Sequence, residues 1–433
     1  AQNTCILQVV KPRLNACFYT SVTTLERVSV AGKDYDCDEW TNITPKILSY
    51  VGRNLHTQKD HPIYIVKEVN LPLFAVFDNL SPVVTVKQNF DSLLTPKDHV
   101  SRNRSENYYI NKNTVLRAHT SAHEHELIRS GLSAFLMVGD VYRRDTIDAT
   151  HFPVFHQLEG VRLFNSQQVK KRNYLFQLFS KCEGNTADLT LFENGQETAD
   201  KQMCHTLETS KLLEFNLKQT IEDFTSLMFK TKLPPLNLNT DVECKWVEAY
   251  FPFTHPSFEL EIKYNGEWIE MLGCGILKQQ ILNEAGACDQ VAWAFGLGLE
   301  RLSMKLFDIP DIRYMWTTDD SFLSQFKNHE DFKSIQFKPI LSKQPAVAND
   351  IAFWIPNDYA MNDFYDLVRS VDDGLVQTVT LVDTFVHSES GKQSHCYRIY
   401  YRHTSRALTQ AEVNNLHNRI KDAAESQLNV KGR

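Results

Sequence analysis

Two neighbouring stretches of the chain carry charged and amide side chains at a spacing that suits the binding of a charged substrate. Residues 134–142 and 154–164 read as strands around a polar loop, which predicts an antiparallel β-hairpin. Side chains alternate between the two faces of a strand, so one face is expected to carry Arg143, Asp145, Phe155, Gln157 and Glu159. A core face would not hold unpaired charges. The alternative is a solvated face crossed by salt bridges.

A glycine-containing segment at 296–301 supplies a second cation. Its order G-L-G-L-E-R follows a predicted strand at 291–296 and enters a predicted helix at 297–306. A dinucleotide-binding loop would have a third glycine where Arg301 stands, so that reading is weak. The guanidinium of Arg301 instead projects from the first helical turn, where it can lie on a purine ring or bind a phosphate.

Two further clusters combine small polar, histidine and aromatic residues. His119 and Ser121 have the same strand parity, and His119 and His123 are four positions apart. Without the glutamate of an H-E-x-x-H motif, this spacing does not predict a zinc site. Phe251 and Phe253 are either two core aromatics of a strand or the walls of an apolar slot, in which they would contact a ring edge to face.

A basic stretch near the C-terminus has the composition of a surface that binds single-stranded RNA. Residues 392–406 contain lysine, arginine, histidine and tyrosine but no acidic residue. Arg398, Tyr400 and Arg402 share strand parity, which suits phosphate contacts combined with base stacking. An ordinary solvated strand face is the alternative.

Composition bounds the class of protein. The chain has 433 residues, 42% of them hydrophobic, and a net charge of −7, which indicates a folded protein of two or three domains rather than a histone-like nucleic-acid binder. Nine cysteines without a C-x-x-C pair predict free thiols in a reducing compartment. No stretch approaches the roughly 20 apolar residues of a membrane span. The first 25 residues are basic and rich in hydroxyl groups, which fits a mitochondrial transit segment or a disordered terminus.

The pattern of helices and strands predicts an α+β protein in four parts. Residues 1–41 look irregular, as an N-terminal extension, and 42–306 form the large predicted domain. Residues 307–339 are polar with weak periodicity, which suggests a linker. Residues 340–433 have the order strand, helix, strand, strand, helix, which is typical of a small ferredoxin-like domain.

Together, six segments resemble the class II aminoacyl-tRNA synthetases. Three resemble the general motifs of that class, namely Asn89–His99, Val141–Asp145 and Gly296–Arg301. Three others resemble segments of the phenylalanine-specific members, namely Arg117–Ser121, Phe155–Glu159 and Phe251–Ser257. The resemblance runs from about Asn42 to the C-terminus and is strongest to the single-chain mitochondrial form. Asp145 replaces the longer glutamate of bacterial relatives, and the connection 67–72 is shorter than in relatives.

The resemblance implies an antiparallel catalytic sheet flanked by helices, followed by a ferredoxin-like anticodon-binding domain. It also implies the residue roles. Arg143 and Arg301 would be catalytic, and ATP would be bound by Arg143, Asp145, Phe155 and Arg301. Phenylalanine would be bound by His119, Ser121, Gln157, Glu159, Phe251, Phe253, Ala294 and Gly296. The tRNA would contact Arg398, Tyr400 and Arg402.

The expected substrates are therefore L-phenylalanine, ATP with Mg²⁺ and tRNA(Phe), without an organic cofactor, a protein-bound metal or a membrane. The expected protein is a monomer of the mitochondrial matrix. Two alternatives are a class II synthetase for another amino acid and a catalytically inactive relative that binds RNA. The Phe251/Phe253 pair and the Gln157/Glu159 pair argue against the first. Intact Arg143, Glu159 and Arg301 argue against the second.

Overall fold

The structure is a computed structural model that describes most of the chain. The described residues are 26–68, 74–172, 190–230, 243–264, 266–327, 335, 337, 338, 345–404 and 406–433. The predicted transit segment and most of the short connection at 67–72 lie outside the described residues.

The strands and helices follow in chain order. The strands are β1 Arg27–Val30, β2 Lys33–Asp36, β3 Ala75–Phe77, β4 Val83–Thr85, β5 Tyr109–Asn111, β6 Thr114–Leu116, β7 Ala134–Tyr142, β8 Val154–Phe164, β9 Cys244–Ala249, β10 Thr254–Tyr264, β11 Glu267–Leu277, β12 Val291–Gly298, β13 Val347–Trp354, β14 Val376–Val386, β15 Gln393–Tyr401 and β16 Lys431–Gly432. The described α-helices are α1 Pro45–Leu48, α2 Pro62–Lys67, α3 Val86–Asn89, α4 Glu124–Arg129, α5 Ser166–Arg172, α6 Leu207–Lys230, α7 Gln279–Glu284, α8 Leu299–Phe307, α9 Asp320–Leu323, α10 Met361–Val371 and α11 Gln410–Gln427.

A seven-stranded sheet forms the centre of the catalytic part, in the order β3-β7-β8-β12-β11-β10-β9. Only the edge strand β3 runs parallel to its neighbour, and the six other strands form one antiparallel run. The predicted hairpin is confirmed with the predicted bounds. Its register pairs Val141 with Phe155, Gly139 with Gln157 and Met137 with Glu159.

Helix α6 covers one face of this sheet. Its residues Leu213, Leu217 and Ile221 are buried in the same core as Trp293 of β12, and the indole Nε1 of Trp293 donates a 3.0 Å hydrogen bond to Asn216 of the helix. The apolar stripe of a helix must be buried against another element. The long helix therefore fixes the back of the sheet and leaves the opposite face open for a site.

A short strand of the catalytic part passes directly into a helix. Strand β4 ends at Thr85, and α3 begins at the next residue. Thr85 and Gln88 form a capping box: the Thr85 hydroxyl accepts from the Gln88 backbone N–H, and the Gln88 side chain accepts from the Thr85 backbone N–H. These bonds satisfy donors at a helix N-terminus, which explains why the helix starts there.

The described part of the expected linker 307–339 belongs to the catalytic core. A 3-10 helix spans Ile312–Trp316, and Met315, Phe322 and Phe326 are fully buried in the main hydrophobic cluster. Short 3-10 turns do not repeat every 3.6 residues, so the sequence showed weak periodicity despite this burial. Similarly, part of the expected N-terminal extension forms the hairpin β1–β2, whose Val30 is buried in the same cluster.

The C-terminal part has a four-stranded antiparallel sheet in the order β14-β15-β13-β16, with α10 and α11 packed against it. Alternating residues of β15, among them Tyr397 and Ile399, point into the core. Thr409 and Glu412 form a capping box at the start of α11. The ferredoxin-like prediction therefore agrees with the observed elements.

The C-terminal sheet and α10 dock onto the loop of the catalytic hairpin. Tyr108 donates a 2.8 Å hydrogen bond to the buried carboxylate of Asp366 in α10, which also lies 3.4 Å from Arg144. Ile147 of the hairpin loop is buried in the C-terminal core, and its carbonyl accepts from the backbone N–H of Val379. The two halves therefore share buried polar and apolar contacts beside the cleft described next.

Candidate active site

The open face of the central sheet carries one cleft of about 840 Å³. It brings together every side chain that the sequence assigned to ATP or to the amino acid, namely His119, Ser121, Arg143, Asp145, Phe155, Gln157, Glu159, Phe251, Phe253, Ala294, Gly296 and Arg301. These residues come from the hairpin β7–β8, from β12 and α8, and from the loops before α4 and after β9. The proximity of the hairpin residues among them agrees with the alternation of side chains along a strand, while the individual roles of all twelve residues stay predictions.

Arg143 lies just past the end of β7. Its backbone N–H bonds to the carbonyl of Pro153, which extends the hairpin ladder by one residue and aims the side chain into the cleft. The guanidinium carbon lies 5.2 Å from the centre of the Phe155 ring, and Nε donates a 2.8 Å hydrogen bond to the carbonyl of Ala118. The remaining guanidinium nitrogens are available to an anion in the cleft.

Arg301 reaches the same region from the first turn of α8. Its Nη1 donates a 3.1 Å hydrogen bond to the carbonyl of Glu270 in β11, and the Glu270 carboxylate lies 3.6 Å away. Arg301 and Phe155 thus line one end of the cleft from two different elements. A cation and an aromatic ring there are suited to contact the faces of a planar base.

The carboxylate of Glu159 lies at the other end of the cleft. It accepts hydrogen bonds from the hydroxyls of Ser121, at 2.6 Å, and Thr120, at 2.9 Å. Burial nevertheless raises the pKa of Glu159 to about 7. The expected strand parity of His119 and Ser121 was wrong, because Thr120–His123 is a 3-10 helix. The tight turn still brings Ser121 to Glu159.

A second buried carboxyl, Glu124, follows at the start of α4. It is fully buried, and neither of its oxygens has a hydrogen-bond partner among the described residues. Burial, followed by the neighbouring charge of Glu159, raises the pKa of Glu124 well above its ordinary value. Both causes favour the neutral form of the Glu124 carboxyl. Glu124 was not predicted as a site residue, although an acid three positions after Ser121 is a signal in the sequence.

Phe251 and Phe253 form an apolar wall in the same cleft as Glu159. Their rings stack with centroids 5.9 Å apart and planes 20° apart. They lie in the turn between β9 and β10 and not on a strand, because β9 ends at Ala249. Gly273 faces this wall, and a Cβ atom at that position would come within 2.7 Å of the Phe251 ring. The glycine therefore leaves the room that the aromatic wall needs.

The floor of this apolar region is made of small residues. Gly296 pairs with Glu159 and Ala294 with Val161 across β12 and β8. A Cβ atom at Gly296 would come within 2.7 Å of the Gln157 amide nitrogen. Ala294 lines the cleft and also belongs to the hydrophobic cluster that closes its lower end. An amino-acid side chain could therefore lie over these two positions.

Comparisons with known proteins agree with this geometry. The family described as "tRNA synthetases class II core domain (F)" matches residues 52–194 and 207–326, and the "Ferredoxin-fold anticodon binding domain" matches 342–433. The mitochondrial phenylalanine–tRNA ligase of Mus musculus is 51% identical over 94% of this chain and 89% of its own length. The chain belongs to the phenylalanine–tRNA ligase family of class II synthetases. This confirms the resemblance and the fold class.

More distant relatives cover as much of the chain. The probable mitochondrial phenylalanine–tRNA ligase of Drosophila melanogaster is 48% identical over 93% of this chain and 92% of its own length. The mitochondrial enzyme of Saccharomyces cerevisiae is 37% identical over 95% of this chain and 96% of its own length. The chain is therefore a class II aminoacyl-tRNA synthetase of the mitochondrial type, in which an anticodon-binding domain follows the catalytic domain.

In this synthetase, a buried pair of side chains joins β8 to α8. Glu300 accepts 2.7 Å hydrogen bonds from both the backbone N–H and the ring Nδ1 of His156, and the two side chains are almost completely buried. His156 is next to Phe155 in β8, and Glu300 is next to Arg301 in α8. The pair thus fixes the spacing of Phe155 and Arg301. The sequence analysis gave it no role.

The histidines of the 119–123 segment are not arranged as a metal site. His119 lies against Phe253, with ring centroids 6.3 Å apart, and burial lowers its pKa to about 3. The ring nitrogen Nε2 of His123 lies 3.1 Å from the guanidinium of Arg117. Within the described ranges, no group of three or more candidate metal ligands is found.

The anticodon-binding domain has a shallow depression of about 490 Å³ lined by Arg398 and Tyr400, together with Asp350 and His417. Arg398 binds Asp350 of β13 through two hydrogen bonds of 2.7 and 2.8 Å, so its charge is partly compensated. Arg402 follows the end of β15, where its carbonyl accepts from Arg313 of the catalytic part. The structure thus brings two of the three predicted tRNA contacts into one surface.

Two further observations concern the cysteines and the helices of the described residues. The six cysteines in the described part are free thiols. Among the helices of the described residues, none is long and apolar enough to cross a membrane.

Proposed function

We propose that this chain activates L-phenylalanine with ATP in the cleft and transfers it to tRNA(Phe). The observation that carries the proposal is that the two ends of one cleft carry different kinds of side chain. Glu159, held by Ser121, lies beside the aromatic wall of Phe251, and Arg143 lies at the opposite end. A carboxylate next to an apolar slot complements phenylalanine, which carries an α-ammonium group and an aromatic side chain.

At the ATP end, the amino-acid carboxylate attacks the α-phosphate. A phosphorus–oxygen bond forms to the carboxylate, the bond to the β-phosphate breaks, and pyrophosphate leaves with the electron pair. Arg143 stabilises the charge that develops on the α-phosphate. Phe155 and Arg301 hold the adenine between them, and the His156–Glu300 pair keeps that spacing.

The Mg²⁺ that accompanies ATP is part of the substrate. Asp145 and Glu270 line the cleft near Arg143, and carboxylate oxygens are ligands that Mg²⁺ accepts. Asp145 also accepts a 2.7 Å hydrogen bond from the backbone N–H of Thr146, which orients its carboxylate. These two acids are the candidates to orient the metal and its water ligands.

At the amino-acid end, Glu159, Ser121 and Gln157 bind the ammonium group, with neutral His119 beside them. The ring of the substrate packs on Phe251 and Phe253. Ala294 and Gly296 form the floor of the slot. Rejection of tyrosine rests on this floor.

On the tRNA side, Arg398, Tyr400 and Arg402 contact the anticodon region. The proposed enzyme is a monomer of the mitochondrial matrix; the mitochondrial names of its relatives support the compartment. The test is charging of tRNA(Phe) by the full chain with labelled phenylalanine and ATP. Product that elutes with tRNA and is released by mild base supports the proposal, whereas adenylate formation without tRNA charging contradicts it. Light scattering of the same sample tests the monomer.

A further inference from the structure

One aromatic side chain at the rim of the cleft has no role in the two ends described above. Tyr250 is 72% exposed, more than any other large hydrophobic side chain of the described residues. It lies between the end of β9 at Ala249 and the slot residue Phe251, and it lines the cleft. Within the part of the chain that the structure describes, its side chain makes no hydrogen bond or ring contact.

We infer that Tyr250 is the stacking platform for the 3′-terminal base of the tRNA during the transfer step. This rests on the proposed function, because it concerns the same cleft. It adds a binding site for a nucleobase that neither the motifs nor the comparisons assign.

The chemistry of transfer requires a nucleoside at this rim. A ribose hydroxyl of the terminal nucleotide attacks the carbonyl carbon of the phenylalanyl-adenylate. The new carbon–oxygen ester bond forms while the bond from that carbon to the phosphate oxygen breaks. AMP leaves with the electron pair, and the hydroxyl proton passes to the AMP phosphate or to water. The terminal ribose must therefore lie at the mouth of the amino-acid slot, and its base within one nucleoside's length of it.

Tyr250 lies close to the amino-acid slot, because the next residue, Phe251, is one of the walls of the slot. The Phe251 ring closes the slot against Gly273 and stacks on Phe253, so the slot is walled without Tyr250. Tyr250 comes directly before Phe251 in the chain and is exposed where it lines the cleft. An aromatic ring that is exposed next to a reacting group suits base stacking, which every base can provide through its π-face.

Tyr250 is not placed to contact the adenine of ATP, whose proposed site lies elsewhere in the cleft. Phe155 belongs to β8, and Arg301 follows β12, which is the next strand of the sheet. Tyr250 follows the edge strand β9, three strands beyond β12. The two aromatic positions therefore lie on opposite sides of the amino-acid slot, and each is placed for a separate base.

The test separates the two half-reactions in Tyr250→Ala and Tyr250→Phe. The matched control is Trp268→Ala, another partly exposed aromatic of the same sheet, 42% exposed at the start of β11. In Tyr250→Ala, phenylalanine-dependent pyrophosphate exchange should stay within about twofold of wild type. The single-turnover rate constant for transfer from the preformed adenylate to subsaturating tRNA should fall roughly 10- to 100-fold, as the loss of one base–aromatic stack implies. Tyr250→Phe and Trp268→Ala should transfer normally.

A direct readout uses tRNA whose terminal adenosine is replaced by 2-aminopurine riboside. Its fluorescence should be quenched on binding to wild type and to Tyr250→Phe, and not on binding to Tyr250→Ala. Normal transfer and normal quenching in Tyr250→Ala would overturn the inference. A loss of exchange in parallel with transfer, together with a raised KM for phenylalanine, would also overturn it, because Tyr250 would then be a wall of the slot. Failure of the wild-type chain to exchange with phenylalanine would instead refute the proposed function.

Discussion

Ser121 donates a 2.6 Å hydrogen bond to the buried carboxylate of Glu159, and this contact joins the loop before α4 to the central strand β8. The hydroxyl stabilises the charged carboxylate, whereas burial opposes it, and burial dominates. The amino-acid end of the cleft therefore titrates near neutral pH, which has a measurable consequence.

The KM for phenylalanine should rise as the pH falls from about 8 to 6. The pKa of Glu159 is about 7 without substrate, so the carboxylate is charged above this value and is neutralised below it. A neutral carboxyl does not hold the substrate ammonium by charge. Glu159→Gln should raise KM at least about tenfold at pH 8, in line with the loss of a charged hydrogen bond, and should flatten the pH profile. A wild-type KM that is constant over this range would contradict the assigned role.

Glu124→Gln should stabilise the protein at high pH and leave its activity nearly unchanged. The pKa of Glu124 is raised in the folded state, so the stability that its protonated form contributes is present at low pH and is lost as the pH rises. Glutamine imitates the neutral acid and does not titrate. We expect the gain in Tm over wild type to be at least about 2 °C larger at pH 8 than at pH 5.

The matched control for that substitution is Glu126→Gln, an exposed glutamate of the same helix. It should show the same Tm difference from wild type at both pH values. If Glu124→Gln behaved like this control, Glu124 would not be a buried neutral acid.

Arg143→Ala should reduce pyrophosphate exchange by about 10²- to 10³-fold, since a charge-assisted contact to the transition state is lost. Phenylalanine binding, followed by calorimetry without ATP, should change only a few-fold, although the bond from Arg143 to the carbonyl of Ala118 is also removed. Arg129→Ala, at an exposed site on α4, is the control. Exchange close to the wild-type rate would show that Arg143 does not contact the reacting phosphate.

Ala294→Gly should let the enzyme activate para-chlorophenylalanine. Ala294 lies between Val161 of β8 and Gly275 of β11, on the same side of β12 as Gly296, so its methyl group limits the depth of the slot. Removal of the methyl makes room for a halogen but adds no partner for a tyrosine hydroxyl, whose unpaired burial stays costly. Activation of both analogues relative to phenylalanine decides this. An unchanged preference would place the floor of the slot elsewhere.

The sequence predicted those features that depend on alternation or on a motif. The parity of the hairpin correctly placed Arg143, Phe155 and Glu159 in one cleft, because a strand has only two faces. Parity failed for Ser121 and Phe253, which lie in a 3-10 helix and a turn. These residues reach the cleft through backbone conformations that have no two-residue repeat.

Other features depend on long-range packing, which no local pattern encodes. The residues of the expected linker are buried because Met315 and Phe322 meet a core built from distant segments. The His156–Glu300 pair joins residues 144 positions apart. Glu124 gains its significance only from burial next to Glu159. A single sequence shows which residues are present at such places but not what surrounds them.

The most direct test of the whole account is pyrophosphate exchange by the full chain, measured separately with each of the twenty amino acids at saturating ATP and Mg²⁺. We predict that phenylalanine alone supports rapid exchange and that tyrosine follows far behind, because its hydroxyl finds no partner in the slot. Arg143→Ala should reduce the phenylalanine signal by about 10²- to 10³-fold. Preferential exchange with another amino acid, or no exchange with phenylalanine by a folded protein, would contradict the account.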